Sequence, residues 1–279
     1  MKPESLIYIL VFQALFGFEV FFSSTNIFSG DLIYIFGFCR NEKLTNTRQN
    51  GKSAVVYHEK NGKFHLFTGS DVEFFSGKLE LVFMTEHSNY RYSFPVNMRK
   101  TETRLITFTN QTAAAMVSDR KKIISESRSF HEFYKAFTEP YWKGNFISPA
   151  GHAPVSSDFA VHRSNSVTGV QSFHRGIDFL MPSGAQVYAP NHGIVVFSGF
   201  ADIRGNLVII NHGMGLYTSY FHLEKSLVKT GQKIKKGEII ALSGKSGLVT
   251  GAHLHWDVRI DNTCVNGTDL LKMHFPPEP

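Results

Sequence analysis

The chain has 279 residues, enough for one large domain or two modest ones. Hydrophobic residues make up 42% and charged residues 19%, which excludes a disordered chain, and the 26 phenylalanines favour strands over helices. The net charge of +6 and pI of about 9.2 suit a soluble basic protein or one drawn to a polyanion such as an anionic membrane surface or a cell wall. No Lys/Arg run with interleaved aromatics marks a nucleic-acid groove, and the densest basic cluster, "KTGQKIKK" at 229–236, has turn character.

The N-terminus, "MKPESLIYILVFQALFGFEVFF", puts Lys2 before an apolar run from Leu6 to Phe18 that only Gln13 and Gly17 interrupt. That run is short for a membrane span and matches a signal-peptide core. Residues 1–23 are therefore expected to be a signal peptide or an N-terminal apolar segment, and the protein to be exported to the periplasm or cell envelope. No cysteine follows the run to carry a lipid anchor.

Residues 24–110 read as short strands without helices. "DLIYIFGF" is one, "SAVVYHEKNGKFHLF" is a hairpin with Asn61-Gly62 as a type I′ turn, and "KLELVFM", "YRYSFPV" and "TRLITFTN" follow. This spacing predicts a small antiparallel, sandwich-like accessory domain. Residues 111–144 change character. "VSDRKKIISESRSFHEFYKAF" lacks Gly and Pro, begins with a capping Ser/Asp pair, and places Ile123, Phe130, Tyr134 and Phe137 near one helical face before Pro140, so a helical linker is expected. From 145 to 279 strand-like runs return, separated by glycine turns. The fold class is mainly β. Cys39 and Cys264 form neither a disulfide framework nor a CxxC site and are read as unpaired thiols.

Chemistry concentrates in this last region. In "GAHLHWDVRI" the alternation of a strand points His253 and His255 the same way, roughly 7 Å apart, with Leu254 and Trp256 directed into a core. In "FHRGIDFLMP" His174 and Asp178 form H-x-x-x-D in a loop that enters a strand, and in "YTSYFHLEK" Tyr220 and His222 share a face if the run is a regular strand. His174, Asp178 and His255 offer two imidazoles and one carboxylate, a three-ligand set for a catalytic zinc with its fourth position open to water. Zinc lowers the pKa of such a water to about 7, which makes it a nucleophile at neutral pH. His222 and His253 are then free to orient or deprotonate the water and to steady an oxyanion. Residue chemistry alone leaves open which of the five are ligands, and His253 serves as readily as His255.

From about Phe146 to Leu271 these motifs, with the glycine turns between them, resemble the lysostaphin-type, or LytM-type, zinc peptidoglycan endopeptidases. The resemblance implies a zinc domain built on an antiparallel sheet. It implies His174, Asp178 and His255 as metal ligands and His222 and His253 as catalytic residues. It implies peptidoglycan as partner, with D-Ala–diaminopimelate crosslinks and glycine bridges both within the family's range. The N-terminal strands loosely resemble the small β-domains that precede this module in some Gram-negative envelope proteins, which favours the D-Ala–diaminopimelate crosslink. Neither a nucleic-acid partner nor a membrane span in the mature chain is expected, and the protein is expected to be a monomer. The N-terminal domain would position substrate or cover the groove. Three positions depart from the family pattern: "SDFAVHR" puts Ala160 at a glycine and His162 at an arginine, and Asp257 stands where Glu is commoner. The alternative from another class is a non-catalytic wall-binding or hydrolase-activating protein.

Overall fold

The computed structural model describes residues 9–13, 17–73, 77–107, 115–116 and 118–275. The fold is mainly β, with antiparallel pairing dominant, and divides into two units, Met1–Arg99 and Lys100–Pro279.

The first unit has two five-stranded sheets. One runs in the order Ile9–Gln13, Phe18–Phe22, Leu32–Cys39, Lys63–Gly69, Tyr57–His58; the other runs Ile27–Phe28, Asn89–Asn97, Gly77–Thr85, Leu44–Gln49, Lys52–Ser53. Alternation sets the core. Phe18, Val20 and Phe22 are fully buried, and they share a cluster with Phe64 and Leu66 of their own sheet and Leu81 and Phe83 of the other. Each such side chain contributes roughly 1.5–3 kcal/mol by leaving water. The stretch expected as a leader or apolar segment thus contains a core strand, Phe18–Phe22; its residues 1–8 and 14–16 lie outside the described residues. One pair, Ile27–Phe28 with Asn89–Asn97, is parallel. The hairpin forms at the expected place with a different turn. Gly62 has φ +79° while Asn61 does not enter positive φ, and the Gly62 N–H donates to the Glu59 carbonyl. One left-handed glycine closes a longer loop, where a type I′ turn needs two left-handed residues.

In the second unit, helix Arg120–Ser129 is capped by Asp119, whose carboxylate accepts from the Lys122 N–H at 2.9 Å, and continues as a 3-10 turn, Phe130–Tyr134. Phe130 and Tyr134 pack with Leu207, Ile209, Tyr217 and Phe221. Strand Thr103–Ile106 pairs in parallel with His162–Asn165, which pairs antiparallel with Gln171–Phe173. The main sheet runs Val155–Ser157, Ile177–Phe179, Leu254–Ile260, Leu216–Ser226, Gly205–Gly213, Gly193–Ala201, Lys233–Ile234. Leu254, Trp256 and Val258 are fully buried beneath it, which commits the alternate positions of the same strand to the opposite face. No helix among the described residues is long and apolar enough to cross a membrane.

Candidate metal centre and active site

Three adjacent strands assemble the site. Asp178, in the middle of Ile177–Phe179, lies directly across from His255 of Leu254–Ile260, and His255 lies across from Phe221 of Leu216–Ser226. His174 sits in the link between Gln171–Phe173 and Ile177–Phe179, four residues before Asp178. His253 precedes its strand, in a bridge with Gly244.

His174, Asp178 and His255 each bring a donor atom within 4.8 Å of the others. The Asp178 Oδ1 is 3.0 Å from His174 Nε2 and 2.8 Å from His255 Nδ1, and the two nitrogens are 3.1 Å apart. The outward nitrogens fix the tautomers. His174 Nδ1–H donates to the Asp158 carbonyl at 2.8 Å, and His255 Nε2–H donates to Asp257 Oδ1 at 2.7 Å, whose other oxygen accepts from Arg259 Nη2 at 3.1 Å. Both imidazoles therefore turn their remaining nitrogen inward. Arg163 Nη2 donates to Asp178 Oδ2 at 2.6 Å, which leaves Oδ1 to face the same point. Two nitrogens, one oxygen and an outer hydrogen bond on each ligand are the donor set that suits a zinc-type ion.

Charge follows the same logic. Burial pushes His174 down to about 4, so it is neutral at pH 7 as a ligand must be. Burial opposes the Asp178 carboxylate, yet hydrogen bonds from His174 and His255 outweigh it and hold that group well below the usual carboxylate range. Burial opposes a charged His255 too, but Asp257 and Asp178 raise it to about 9. Its inward nitrogen is unusually basic, which favours whichever cation, proton or metal, stands there.

His222 and His253 flank the group, their ring centres 4.9 Å apart, and His253 Nε2 lies 3.7 Å from Asp178 Oδ1. Each donates its Nδ1–H to a carbonyl, Ser246 and Gly251 respectively, both at 2.9 Å, so each keeps Nε2 as an acceptor. Burial lowers both, His222 to about 3, and both are neutral bases at pH 7. All five histidines and carboxylates expected from the sequence are brought together.

One expectation fails in its geometry. Tyr220 and His222 do not share a face. Asn206 pairs with Leu223 and Val208 with Tyr220, so two residues, Phe221 and His222, oppose Leu207 alone. The bulge puts His222 at φ +61°, a region that costs a non-glycine residue of order 1 kcal/mol or more and that clusters at functional sites. Tyr220 is fully buried, with its hydroxyl on Thr218, while His222 turns into the groove. The two departures upstream also resolve. Ala160 takes φ +66°, which explains why glycine suits that turn, and Arg163, one place beyond His162, supplies the guanidinium. Residue-level reading missed Arg163 and passed over Asp257 as a partner of His255. The pattern H-x-H-x-D-x-R of 253–259 held the second signal, since alternation puts all four on one face.

The centre opens into a groove of about 310 Å³, walled by Leu180, Leu248 and Val249 and by the arginines Arg104 and Arg163. Residues 172–267 match the model of peptidase family M23. The C-terminal part of this chain carries an M23 peptidase domain. The chain is 44% identical over 122 residues to the peptidoglycan DD-endopeptidase ShyA of Vibrio cholerae, covering 44% of this chain and 28% of that one. It is 46% identical over 159 residues to an uncharacterized metalloprotease of Haemophilus influenzae, covering 56% and 34%. The chain spans about a third of the length of these curated relatives. A solved Pseudomonas aeruginosa structure named for peptidase M23 shares the fold over 89% of this chain and 96% of its own, with a TM-score of 0.64 and 23% identity.

Proposed function

We propose that the chain is an exported zinc endopeptidase that hydrolyses peptide bonds of peptidoglycan, with the D-Ala–diaminopimelate crosslink favoured. The observation that carries this reading is the convergence of His174, Asp178 and His255 on one point, beside two neutral histidines and an open groove. The favoured bond rests on the DD-endopeptidase named among the relatives. A basic chain also suits an anionic envelope.

His174, Asp178 and His255 would hold the ion; when bound, zinc polarises a scissile carbonyl and makes water a nucleophile near neutral pH. The chain's own groups do the rest. His222 and His253 each present an unprotonated Nε2 to the groove, and either accepts the proton of the attacking water. The same histidine, now carrying that proton on Nε2, passes it to the leaving amine, and the other holds the water in place by accepting its second hydrogen. Leu180, Leu248 and Val249 give the groove an apolar wall for the peptide to lie against.

The test is digestion of crosslinked muropeptides by the purified full chain, with products read by mass spectrometry and zinc by elemental analysis. The expected result is one zinc per chain and conversion of D-Ala–diaminopimelate dimers to monomers. A zinc-loaded chain that binds muropeptides and leaves them intact would make it a wall-binding or hydrolase-activating protein instead.

A further inference from the structure

Helix Arg120–Ser129 lies outside the residues that match the M23 model and has no buried residue, yet one of its side chains binds the loop that bonds to His222. The Glu126 side chain is 11% exposed. Its Oε2 accepts the Ile203 N–H at 2.8 Å; its Oε1 accepts Arg204 Nη1 at 2.9 Å and the Arg204 N–H at 3.3 Å. Two lines leave Arg204. Its carbonyl accepts the His222 N–H at 2.9 Å, in the bulge where His222 is held at φ +61°. Its guanidinium stands 5.3 Å over the Phe221 ring, and Phe221 stacks on His255 at 5.1 Å with 7° between the planes.

We infer that Glu126 is a positioning residue of the peptidase: through Arg204 it fixes the bulge that aims His222 and the ring that backs His255. This rests on the peptidase reading above. Two features set Glu126 apart from an ordinary surface ion pair. It satisfies backbone donors of the very loop that holds His222, and it neutralises a guanidinium that is itself only 14% exposed and stacks on two rings, Phe130 and Phe221. A ten-residue helix is marginal by itself, and a carboxylate locked onto a neighbouring loop orders helix and loop together. Glu126→Gln keeps the size but puts an amide N–H₂ among donors that need an acceptor, and it removes the hydrogen-bonded counter-charge of a partly buried cation, leaving only the Asp257 carboxylate to face it.

The experiment uses the zinc-loaded full chain. Glu126→Gln is expected to lower kcat roughly tenfold with KM and zinc content unchanged, since small misplacement of a catalytic group costs one to two orders of magnitude. In a His222→Ala background the same change should cost clearly less than the tenfold it costs in the parent, because one of the two lines it acts through has been cut. Glu132→Gln, an exposed charge change in the following turn, should do nothing to either. Independently of activity, the His222 ring signals in histidine-labelled NMR spectra should shift or broaden in Glu126→Gln, while those of His65 in the first unit stay fixed. Unmoved His222 signals, or losses that add in the double variant, overturn the inference. A wild-type chain without hydrolysis but with His222 signals that respond to Glu126→Gln breaks the peptidase reading and leaves the positioning line standing.

Discussion

Each unit holds a largely enclosed histidine bonded to a carboxylate, and the two differ in what they leave over. In the first unit His65 Nδ1 accepts from the Tyr34 hydroxyl, 2.5 Å away, and its Nε2–H donates to Glu59, 2.7 Å away. Both nitrogens are spent inside the fold, and burial lowers its pKa. In the second unit His255 spends only Nε2, on Asp257, and turns Nδ1 toward a second imidazole and a second carboxylate. Burial and an acidic neighbour are common to both. What separates a structural histidine from a ligand is one nitrogen aimed at a point where other donors converge.

The largest test of that contrast is a pair of substitutions. His255→Ala is expected to abolish zinc binding and cut muropeptide hydrolysis by at least about 10³-fold, the loss of several kcal/mol of charge stabilisation. His65→Ala is expected to leave zinc content and rate unchanged while costing about 1–3 kcal/mol of stability through the two hydrogen bonds lost to Tyr34 and Glu59. Elemental analysis, rate assays and denaturant titration read all three quantities. Next in size, His222→Ala should lower kcat by about 10²–10⁴-fold while zinc stays bound. Loss of zinc with it would make His222 a ligand and undo the division of roles.

The parts of this contrast that the sequence displayed were those that follow a strict period. His253 and His255 were legible because a strand alternates, and buried Leu254 and Trp256 confirm the phase. Asp178 was legible as a candidate, but its place opposite His255 depends on which strands pair. His222 was legible as a candidate, but the direction it takes was not. The bulge that aims it is one extra residue in a ladder, and nothing in "YFHL" marks it. Arg163, Asp257 and Glu126 act through other side chains, and such partners declare themselves only once distant segments meet. The two-sheet first unit was readable from its strand spacing, whereas the membership of Thr103–Ile106 in the second unit's sheet was not, since a short strand carries no sign of its partner.

A third test uses pH. His212 is fully buried, with Nδ1 near the His192 carbonyl and Nε2 near Thr218 Oγ1, and burial lowers its pKa to about 4. The unfolded chain takes up a proton there below about 6.5 and the folded chain does not until about 4. The sign follows: stability is full above 6.5, falls as pH drops from 6.5 to 4, and levels below that. The loss from this one group is of order 3 kcal/mol. Both tryptophans, Trp142 and Trp256, lie in the second unit, so guanidinium unfolding followed by their fluorescence reports that unit. His212→Gln, compared with the parent at pH 7.5 and 4.5, should lose about 2.5 kcal/mol less on acidification. Equal slopes would mean that His212 is charged or solvated when folded.

The smallest effect probes the outer layer of the metal centre. Asp257 is 2% exposed and accepts from His255 and Arg259, and burial alone would raise its pKa. The His255 charge, then Arg259 and Arg204, overcome that and keep it ionised far below the usual carboxylate range. An ionised partner on Nε2–H makes Nδ1 of His255 a better donor to a cation. Asp257→Asn keeps the size and can still accept the same hydrogen bond, but it removes the charge. Zinc affinity should fall by about 10–100-fold, with kcat of the saturated enzyme close to the parent. Competition with a chelator gives the affinity, and the rate at saturating zinc gives the second number. An unchanged affinity would mean that Asp257 only orients the ring, and the difference between His65 and His255 would then lie wholly in geometry.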